Sequence, residues 1–395
     1  MMTQLGRSGD LCSAFACSVM FVSACTTEPG YGLEDPERVL TIEAVALLED
    51  YGLPGMTVAV AGPEGVTTIA VGFADRENYR LMTTDTTMLA ASIGKTFVAA
   101  VLLQLSDEGQ LDLDDPVSKW LGEKDWFDRL PNASAITIRH LLQHRSGLPD
   151  HVHLDAFARL WPDRVDGATH EELIALTLDL EPLFPAGQGW AYTDTGYLLL
   201  GLIIERVTGQ PYEDVVGDRF ITPLKLSSTG PSNSKALPGL ARGYVQQGSG
   251  LGLTEYTTDD AGLLVWNPAI EWTGGGLYAN ARDLASWGRA FLSGGLFSGA
   301  AYGEALSGFP ASASDTVSLY GLGIAIRTES NFGPIYGHRG WIPGYVSSLQ
   351  YYPSYDTAVA FQINTDIGLI ESERPVMVEL ERRLAQVIFE GQQAE

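Results

Sequence analysis

Cysteine and positive charge are both scarce in this chain of 395 residues, which has three cysteines. It carries 24 Lys and Arg residues against 49 Asp and Glu residues, giving a formal net charge of −25. Such a surface repels phosphate groups, which argues against nucleic-acid binding. Apolar residues make up 45% of the chain, an ordinary value for a globular protein. No run after the N-terminal region is long and apolar enough to suggest a membrane span.

The N-terminal residues 1–24 have the pattern of a signal peptide. Arg7 gives a weakly basic start, and Leu11–Ala24 is an apolar stretch too short to span a bilayer comfortably. The sequence Val22-Ser23-Ala24-Cys25 is similar to a bacterial lipobox, in which the cysteine is lipidated and becomes the new N-terminus. The alternative is a plain secretory signal in which Cys25 has no role.

Removal of this leader would take Cys12 and Cys17 with it and leave Cys25 without a disulfide partner. Residues 25–34 then form a polar tether, and two or more acyl chains would hold the protein at a membrane. We therefore expect an exported lipoprotein of the bacterial cell envelope, periplasmic and anchored in the membrane through Cys25.

The rest of the chain predicts an α+β fold. A helix is expected over Asp35–Gly52, a hairpin over Gly55–Asp75 and a second hairpin over 345–364, turning at Pro353–Asp356. The middle of the chain is mostly helical, and the C-terminal end is an amphipathic helix. One sheet built from both ends, with an inserted helical region, accounts for this order. We assign a domain at 35–390, with its sheet region at about 35–89 and 272–390 and its helical region at about 90–271.

Ser92 and Lys95 lie three residues apart at the start of an apolar stretch that reads as a buried helix. A buried lysine is costly unless it is paired, and burial lowers its pKa. A desolvated lysine can help a neighbouring serine to act as a nucleophile, and free N–H groups at a helix start suit an oxyanion. The alternative is a helix-capping serine beside a surface lysine. Ser232 and Lys235 repeat the spacing between two prolines, where a solvated lysine is expected.

Two further segments carry polar residues suited to the same chemistry. Tyr192 and Asp194 precede an apolar helix expected over Tyr197–Thr208. A phenol beside an ammonium is acidified and could take the serine proton. Otherwise Tyr192 is a packed aromatic and Asp194 a helix cap. His338 lies in a glycine-bearing segment before strand-like sequence, where it either contacts substrate or tunes Tyr192, or has no role.

These three motifs, in this order and at these separations, resemble the serine β-lactamase and penicillin-binding-protein superfamily. They are Ser92-Ile93-Gly94-Lys95, Tyr192-Thr193-Asp194 and His338-Arg339-Gly340. The class C-like branch is most similar, with class C β-lactamases, DD-carboxypeptidases, D-aminopeptidases and family VIII-type esterases. Segments Ile136–Asp150 and 274–295 agree, so the resemblance covers about 35–390.

The resemblance implies a β-lactamase/transpeptidase-like fold and a two-step acyl transfer without metal or cofactor. By matching position, Ser92 is the acylated nucleophile, Lys95 its proton partner and Tyr192 the general base or relay. Asp194, His338 and Gly340 would bind substrate or relay protons. The backbone N–H groups of Ser92 and Trp341 would form the oxyanion hole.

Two residues depart from the family pattern. Asp194 stands where asparagine is usual, and an ionised carboxylate can only accept hydrogen bonds, which weakens the case for an acylamino substrate. Arg339 stands where a small hydroxyl residue is common, and it either binds a carboxylate or points outward. Esters, D-amino peptides, stem peptides and β-lactams all stay open as substrates. We expect specificity to depend on a loop near the cleft at Gly243–Gly262.

Other classes fit the sequence less well. An α/β-hydrolase needs a G-x-S-x-G motif, which the sequence lacks. The spacing of His140 and His144, with His151 and His153 beyond, weakly suggests a metal site, but no H-E-x-x-H motif occurs. The main rival is a non-catalytic cell-envelope binding protein on a penicillin-binding scaffold. Because all three motif positions needed for chemistry are filled, we expect an enzyme acting on a small-molecule or peptide substrate.

Overall fold

The computed structural model describes residues 35–160, 168–246, 253, 255–312, 315–370 and 375–390. The expected signal peptide, Cys25 and the tether lie outside the described residues, as does part of the Gly243–Gly262 stretch. Within the described ranges, no helix has both the length and the apolar character required to cross a bilayer.

Most of the helices lie in the middle of the domain, and most of the strands lie near its two ends. The helices are α1 (Pro36–Tyr51), α2 (Gly94–Asp107), α3 (Ser118–Leu121), α4 (Ile138–Leu142), α5 (Asp155–Leu160), α6 (His170–Ala175), α7 (Asp194–Thr208), α8 (Tyr212–Val216), α9 (Trp272–Gly275), α10 (Ala281–Leu292), α11 (Gly299–Ala305) and α12 (Val376–Phe389). The strands are β1 (Gly55–Gly62), β2 (Gly65–Asp75), β3 (Arg80–Leu81), β4 (Met88–Leu89), β5 (Gly230–Pro231), β6 (Leu277–Ala279), β7 (Phe309–Ser312), β8 (Asp315–Tyr320), β9 (Ala325–Arg327), β10 (Ile335–Ile342), β11 (Tyr345–Tyr352) and β12 (Thr357–Ile363).

Nine of these strands form one antiparallel sheet in the order β3-β2-β1-β12-β11-β10-β9-β8-β7. The first strand, β1, pairs with the last strand, β12, with Met56 opposite Ile363 and Ala61 opposite Ala358. The sheet is therefore assembled from both ends of the domain, and the α+β fold expected from the sequence is confirmed. The short strands β4, β6 and β5 form a second, three-stranded sheet.

Both hairpins expected from the sequence are present. β1 and β2 pair up to Gly62 and Gly65, and Gly65 has a φ of 132°, which a side chain would disfavour. β11 and β12 are joined by a turn in which Asp356 has a φ of 46°. Aspartate tolerates this left-handed conformation better than most residues, so the turn ends where the sequence indicated.

One face of the sheet is covered by α1 and α12. The side chain of Asp35 caps α1, Pro36 is its first residue, and Gly52 ends it with a φ of 66°. Its buried residues recur at helical spacing and pack with apolar residues of α12, β1 and β2 in one cluster. The cluster includes Leu40, Ala44, Leu47, Met56, Val58, Ile69, Val71, Leu380 and Leu384.

The opposite face packs on α10 and the helical region, with α2 buried among them. Nearly every residue of α2 is buried, as its apolar sequence predicts. The ring of Phe97 stacks on Trp287 of α10 with centroids 3.8 Å apart, and Trp287 donates a hydrogen bond to Thr96 at 2.8 Å. This packing holds the start of α2 against the edge of β10, where the first and third motifs meet.

Three element boundaries differ from the sequence interpretation. Ser92 lies in a 3₁₀ turn (Ala91–Ile93), and α2 begins only at Gly94. α7 begins at Asp194, three residues before the expected start, because an acid from another segment caps its first N–H group. His338 lies within strand β10 rather than before a strand.

Candidate active site

The turn that carries Ser92 is held in an unusual conformation. Ala91, just before it, has a φ of 49°, in the left-handed region that non-glycine residues rarely adopt. The backbone of α9 lies directly against this turn: a Cβ on Gly275 would fall 2.6 Å from the carbonyl carbon of Ala91. A Cβ on Gly94 would fall 3.0 Å from Gly275. Glycine at both positions therefore lets two backbones meet beside the serine.

Lys95 lies at the centre of the site and is completely buried. Its ammonium donates to the Oγ of Ser92 at 3.1 Å and to the carbonyl oxygen of Gly274, and it forms an ion pair with Asp194. Burial alone would lower the pKa of Lys95, but the charge of Asp194, helped by Tyr192, raises it above its ordinary value. The expectation of a lowered lysine pKa was wrong, because the sequence did not reveal this carboxylate partner.

Protonation of Lys95 determines the direction of the hydrogen bond to Ser92. An ammonium has no acceptor, so the oxygen of Ser92 accepts and its own hydroxyl proton stays available to another group. The lysine in this state cannot take the proton from Ser92. Another residue must receive it.

Tyr192 lies beside this pair, with the nitrogen of Lys95 4.8 Å from the centre of its ring. Burial, the largest influence, raises the pKa of Tyr192 to about 12, although Lys95 and Ser92 lower it by charge and hydrogen bonding. The expectation of an acidified phenol was therefore wrong for the free enzyme, because burial raises the pKa of Tyr192 more than Lys95 lowers it, and the charge of Asp194 adds to the increase. Its buried hydroxyl oxygen has no well-aligned hydrogen-bond partner among the described residues. The phenol is thus neutral and free to take a proton while giving one up.

The side chain of Asp194 does not cap α7, while its part in substrate binding or proton relay stays a prediction. Its carboxylate pairs with Lys95, and its backbone N–H donates to the carboxylate of Asp150 at 3.1 Å. Asp150 thus supplies the cap at the start of α7 that was expected from Asp194. Because its carboxylate forms an ion pair with the ammonium, Asp194 favours the protonated form of Lys95.

His338 faces the site from β10 and is neutral. Burial first, and then the charge of Lys95, lowers its pKa to about 4. Its Nδ1 lies 2.6 Å from the carbonyl oxygen of Arg339, which can only accept, so Nδ1 carries the proton. Its Nε2 then accepts from the hydroxyl of Tyr320 at 2.8 Å. The histidine is therefore held in one tautomer and presents no positive charge to the cavity.

Gly340 and Trp341 follow His338 along β10. A side chain on Gly340 would collide with the carbonyl oxygen of Ala90, so only glycine lets this strand approach the nucleophile turn. The hydroxyl of Ser347, on β11, donates to the same oxygen at 2.9 Å. Trp341 lines the cavity beside Ser92, and its ring N–H donates to Asp366 at 3.2 Å. The oxyanion role of its backbone N–H stays a prediction.

Arg339 points away from the serine towards α12. Its guanidinium makes two hydrogen bonds to Glu381, at 2.7 and 2.5 Å, and Glu381 also accepts from Ser348 at 2.7 Å. This fork geometry is the strong form of an arginine–carboxylate pair. Of the two interpretations left open by the sequence, the structure thus favours the outward-pointing arginine.

The motif residues line one cavity of about 850 Å³. Aromatic and apolar side chains make up much of the wall near Ser92, together with two acids that were not predicted as site residues, Asp150 and Glu271. The apolar and aromatic members of this wall include Val152, Phe157, Trp190, Tyr192, Tyr320 and Trp341. No described residue of Gly243–Gly262 lines it, and because part of that stretch lies outside the described residues, its role in specificity stays a prediction.

Asp150 and Glu271 are weaker acids than carboxyl groups usually are. Burial, followed by the charge of Asp194, raises the pKa of Asp150 to about 7 and that of Glu271 to about 7. Three carboxyl groups thus surround the single ammonium of Lys95. No sequence motif marked Glu271, while Asp150 closes the segment Ile136–Asp150 used for the family resemblance.

The four histidines of the weak metal pattern contact different partners, except that His151 and His153 both lie 3.8 Å from Asp150. His140 accepts from the backbone N–H of Thr137, His151 contacts Thr195, and His153 is exposed. His144 is fully buried in a cluster of aromatic rings beside Tyr192. Ser232 and Lys235, the second Ser-x-x-Lys, do not line the cavity.

Comparison with known proteins agrees with this geometry. Residues 43–376 match the family model described as Beta-lactamase. Penicillin-binding protein 4* of Bacillus subtilis is 26% identical over 325 residues, covering 80% of this chain and 69% of that protein. A D-stereospecific amidohydrolase from Streptomyces superposes with a TM-score of 0.73 at 30% identity, covering 90% of this chain and 97% of that one. The D-amino acid amidase from Ochrobactrum anthropi SV3, complexed with L-phenylalanine amide, gives a TM-score of 0.74 at 26% identity, covering 89% and 99%.

Proposed function

This chain belongs to the beta-lactamase family and is a serine hydrolase acting on esters or amides, and we propose that its substrates are amides or esters whose acyl part carries a free amine. Ser92 is the nucleophile, because it is the serine that receives a hydrogen bond from the buried ammonium of Lys95. The alternative of a non-catalytic binding protein is set aside, since the similar proteins include a D-stereospecific amidohydrolase and a D-amino acid amidase.

Because Lys95 is protonated and Tyr192 is neutral, Tyr192 fits the role of a proton relay better than that of a phenolate base. In the proposed first step, the Oγ of Ser92 bonds to the substrate carbonyl carbon and its proton moves to the oxygen of Tyr192. The phenol proton of Tyr192 moves to the leaving nitrogen or oxygen as the bond to that atom breaks. Because Tyr192 both gains and loses a proton, a pKa of about 12 does not prevent the step.

The remaining groups keep the charge balanced during this transfer. Lys95 stays protonated and stabilises the oxygen atoms of Ser92 and Tyr192 as they exchange the proton. The backbone N–H groups of Ser92 and Trp341 stabilise the carbonyl oxygen as it becomes negative. In the second step a water molecule attacks the acyl-enzyme, and Tyr192 passes the water proton back to Ser92.

The single observation that carries the substrate class is the excess of carboxyl groups in the cavity. Asp150, Asp194 and Glu271 all line it, and Lys95 pairs with Asp194 alone among them. The lining also includes Arg327 and Arg382, and Arg382 is paired with Glu379. Arg339 is already paired with Glu381. With a neutral His338, the site near Ser92 suits an ammonium and offers poor support to the carboxylate of a penicillin or a stem peptide.

Two structurally similar proteins support this choice, since one is a D-amino acid amidase and the other a D-stereospecific amidohydrolase. The direct test compares phenylalanine amide with N-acetyl-phenylalanine amide, each as the D and the L form. We expect the free-amine amides to have the higher kcat/KM. Equal or faster hydrolysis of the N-acetyl amides, of nitrocefin or of a D-Ala-D-Ala peptide would contradict the proposal.

We also propose that residues 1–24 are removed, that 25–34 form a tether, and that Cys25 carries the lipid anchor of a cell-envelope protein whose catalytic domain spans 35–390. The lipobox-like sequence before Cys25 supports this. Mass spectrometry of the N-terminal peptide, with Cys25→Ser as the control, tests it. An unmodified Cys25 on the mature protein would contradict it.

A further inference from the structure

We infer that His144 is the residue that positions Tyr192 for proton transfer. The two residues that flank Tyr192 in the chain both donate hydrogen bonds to His144. The backbone N–H of Ala191 donates to the carbonyl oxygen of His144 at 3.0 Å, and the N–H of Thr193 donates to its Nδ1 at 3.2 Å. The tyrosine is therefore held between two hydrogen bonds to one residue.

The ring of His144 also contacts the ring of Tyr192. The two centroids are 4.1 Å apart with an interplanar angle of 35°. On its other sides the imidazole meets Tyr197 at 5.1 Å and Tyr320 at 4.8 Å, and Tyr320 is bonded to His338. His144 thus connects the tyrosine of the second motif to the histidine of the third.

The hydrogen bonds define the chemical state of His144. Nδ1 accepts from Thr193, so the ring proton lies on Nε2, and a second proton would remove this acceptor. Burial, and then the charges of Lys95 and His338, lowers the pKa of His144 well below its ordinary value. The ring is therefore neutral under ordinary conditions, and we assign it no part in proton transfer.

Two features of His144 are unfavourable for stability alone. Its φ is 56°, in the left-handed region, where asparagine and glycine fit better than most residues. Its Nε2 is buried without a hydrogen-bond partner among the described residues, which is unfavourable for a polar atom. An apolar side chain that served only to fill space would avoid the unpaired nitrogen, so the contacts with Tyr192 and Thr193 are the better reason for a histidine here.

This inference rests on the proposed role of Tyr192, and a double-mutant cycle tests the two separately. The variants are His144→Ala, Tyr192→Phe and the combination, assayed for hydrolysis of phenylalanine amide and of p-nitrophenyl butyrate. We expect His144→Ala to lower kcat by about 10-fold or more with KM changed less than about 2-fold. In the Tyr192→Phe background the same substitution should lower kcat by less than about 2-fold, since the group it positions is gone.

A conservative pair of variants separates positioning from general destabilisation. Asn in place of His144 keeps an acceptor near the site of Nδ1 and tolerates a positive φ, whereas Gln places its amide near the site of Nε2. We expect His144→Asn to retain clearly more turnover than His144→Gln. This comparison also decides the matter if the alanine variant does not fold in a thermal unfolding measurement.

His140→Ala is the matched control, because His140 lies in the same segment and contacts Thr137 rather than Tyr192. Its effect on kcat, if any, should be the same factor with and without Tyr192→Phe. Equal effects of His144→Ala in both backgrounds, or equal turnover of the Asn and Gln variants, would overturn the inference. Wild-type turnover of Tyr192→Phe alone would instead overturn the proposed function.

Discussion

Asp194 and Lys95 form a buried ion pair beside Ser92, between residues 99 positions apart in the chain. The lysine side chain is fully buried, and the carboxylate retains 18% of its exposure. Removing one partner of such a pair leaves the other charge uncompensated. The pair therefore determines which group of the site is protonated before substrate arrives.

Asp194→Asn should lower the pKa of Lys95. Burial, the largest influence on this lysine, disfavours the ammonium, and in the variant the carboxylate that opposes it is missing. We expect the pH profile of kcat/KM for p-nitrophenyl butyrate to gain a basic limb below pH 10, because a neutral lysine no longer stabilises the proton transfer. Asp150→Asn, assayed on the same ester, is the control, and an unchanged profile for Asp194→Asn would refute the role of the ion pair.

Ser92→Ala should abolish covalent labelling by a fluorescent fluorophosphonate. The substitution removes the hydroxyl to which the buried Lys95 donates at 3.1 Å. Ser232→Ala is the matched control, since it removes the serine of the second Ser-x-x-Lys sequence, outside the cavity. In-gel fluorescence compares the three proteins at equal concentration. Labelling that survives in Ser92→Ala would end the assignment of Ser92 as the nucleophile.

Tyr192→Phe should lower kcat by about 10²–10⁴-fold with little change in KM, the usual size of an acid–base contribution. The substitution removes a buried hydroxyl that makes no well-aligned hydrogen bond among the described residues, so we expect little loss of stability. Tyr197→Phe is a close control: this phenol is also buried near Lys95, but its hydroxyl donates to the carbonyl oxygen of Leu142 at 3.0 Å. It should cost stability and spare most of the turnover on p-nitrophenyl butyrate.

The sequence predicted the parts of this protein that depend on local spacing. Neighbouring residues determine three such features, which are the Ser92–Lys95 interval, the hairpin turn at Gly62–Gly65 and the caps of α1. What it could not predict depends on residues brought together from distant segments. The pKa of Lys95 is set by Asp194, and the start of α7 by Asp150.

The direction of Arg339 is a further example. In a strand, alternate residues face opposite sides of the sheet, so Arg339 must face away from both His338 and Gly340. The sequence interpretation treated this segment as a loop and could not use that rule. The position of Glu381 on a helix 42 residues later then decides what the arginine binds.

Glu381→Gln should reduce stability more than activity. The glutamate receives hydrogen bonds from Arg339, Ser348 and Gln350, and only 11% of its side chain is exposed. Loss of its charge leaves a partly buried guanidinium without its counter-ion, at a cost of roughly 1–3 kcal/mol. Urea unfolding measures this cost, and kcat on p-nitrophenyl butyrate should change less than about 3-fold. A large loss of kcat with wild-type stability would instead connect Arg339 to catalysis.

Asp150→Asn should become more stable relative to the wild type as pH rises. The folded-state pKa of Asp150 is about 7, above the ordinary value of 3.8, so the folded protein holds a proton that the unfolded chain releases. The wild type therefore loses stability between about pH 4 and 7, and the variant lacks this loss. Urea unfolding at pH 4.5 and pH 7.5 should show a relative gain of roughly 2–4 kcal/mol for the variant. An equal difference at both pH values would mean that Asp150 is ionised throughout.

The same titration should appear in substrate binding if the amine is recognised by Asp150. As Asp150 ionises through about pH 7, the KM of wild type for phenylalanine amide should fall between pH 5 and 7. It should rise again above about pH 8, where an α-amine loses its own proton. The neutral ester p-nitrophenyl butyrate has no ammonium, so its KM should lack the acidic limb. In Asp150→Asn the amide should bind more weakly at pH 7.5 and with a flatter profile below it, since only Glu271 is left to titrate there. A KM for the amide that is independent of pH in the wild type would remove Asp150 from substrate binding and leave it as the cap of α7.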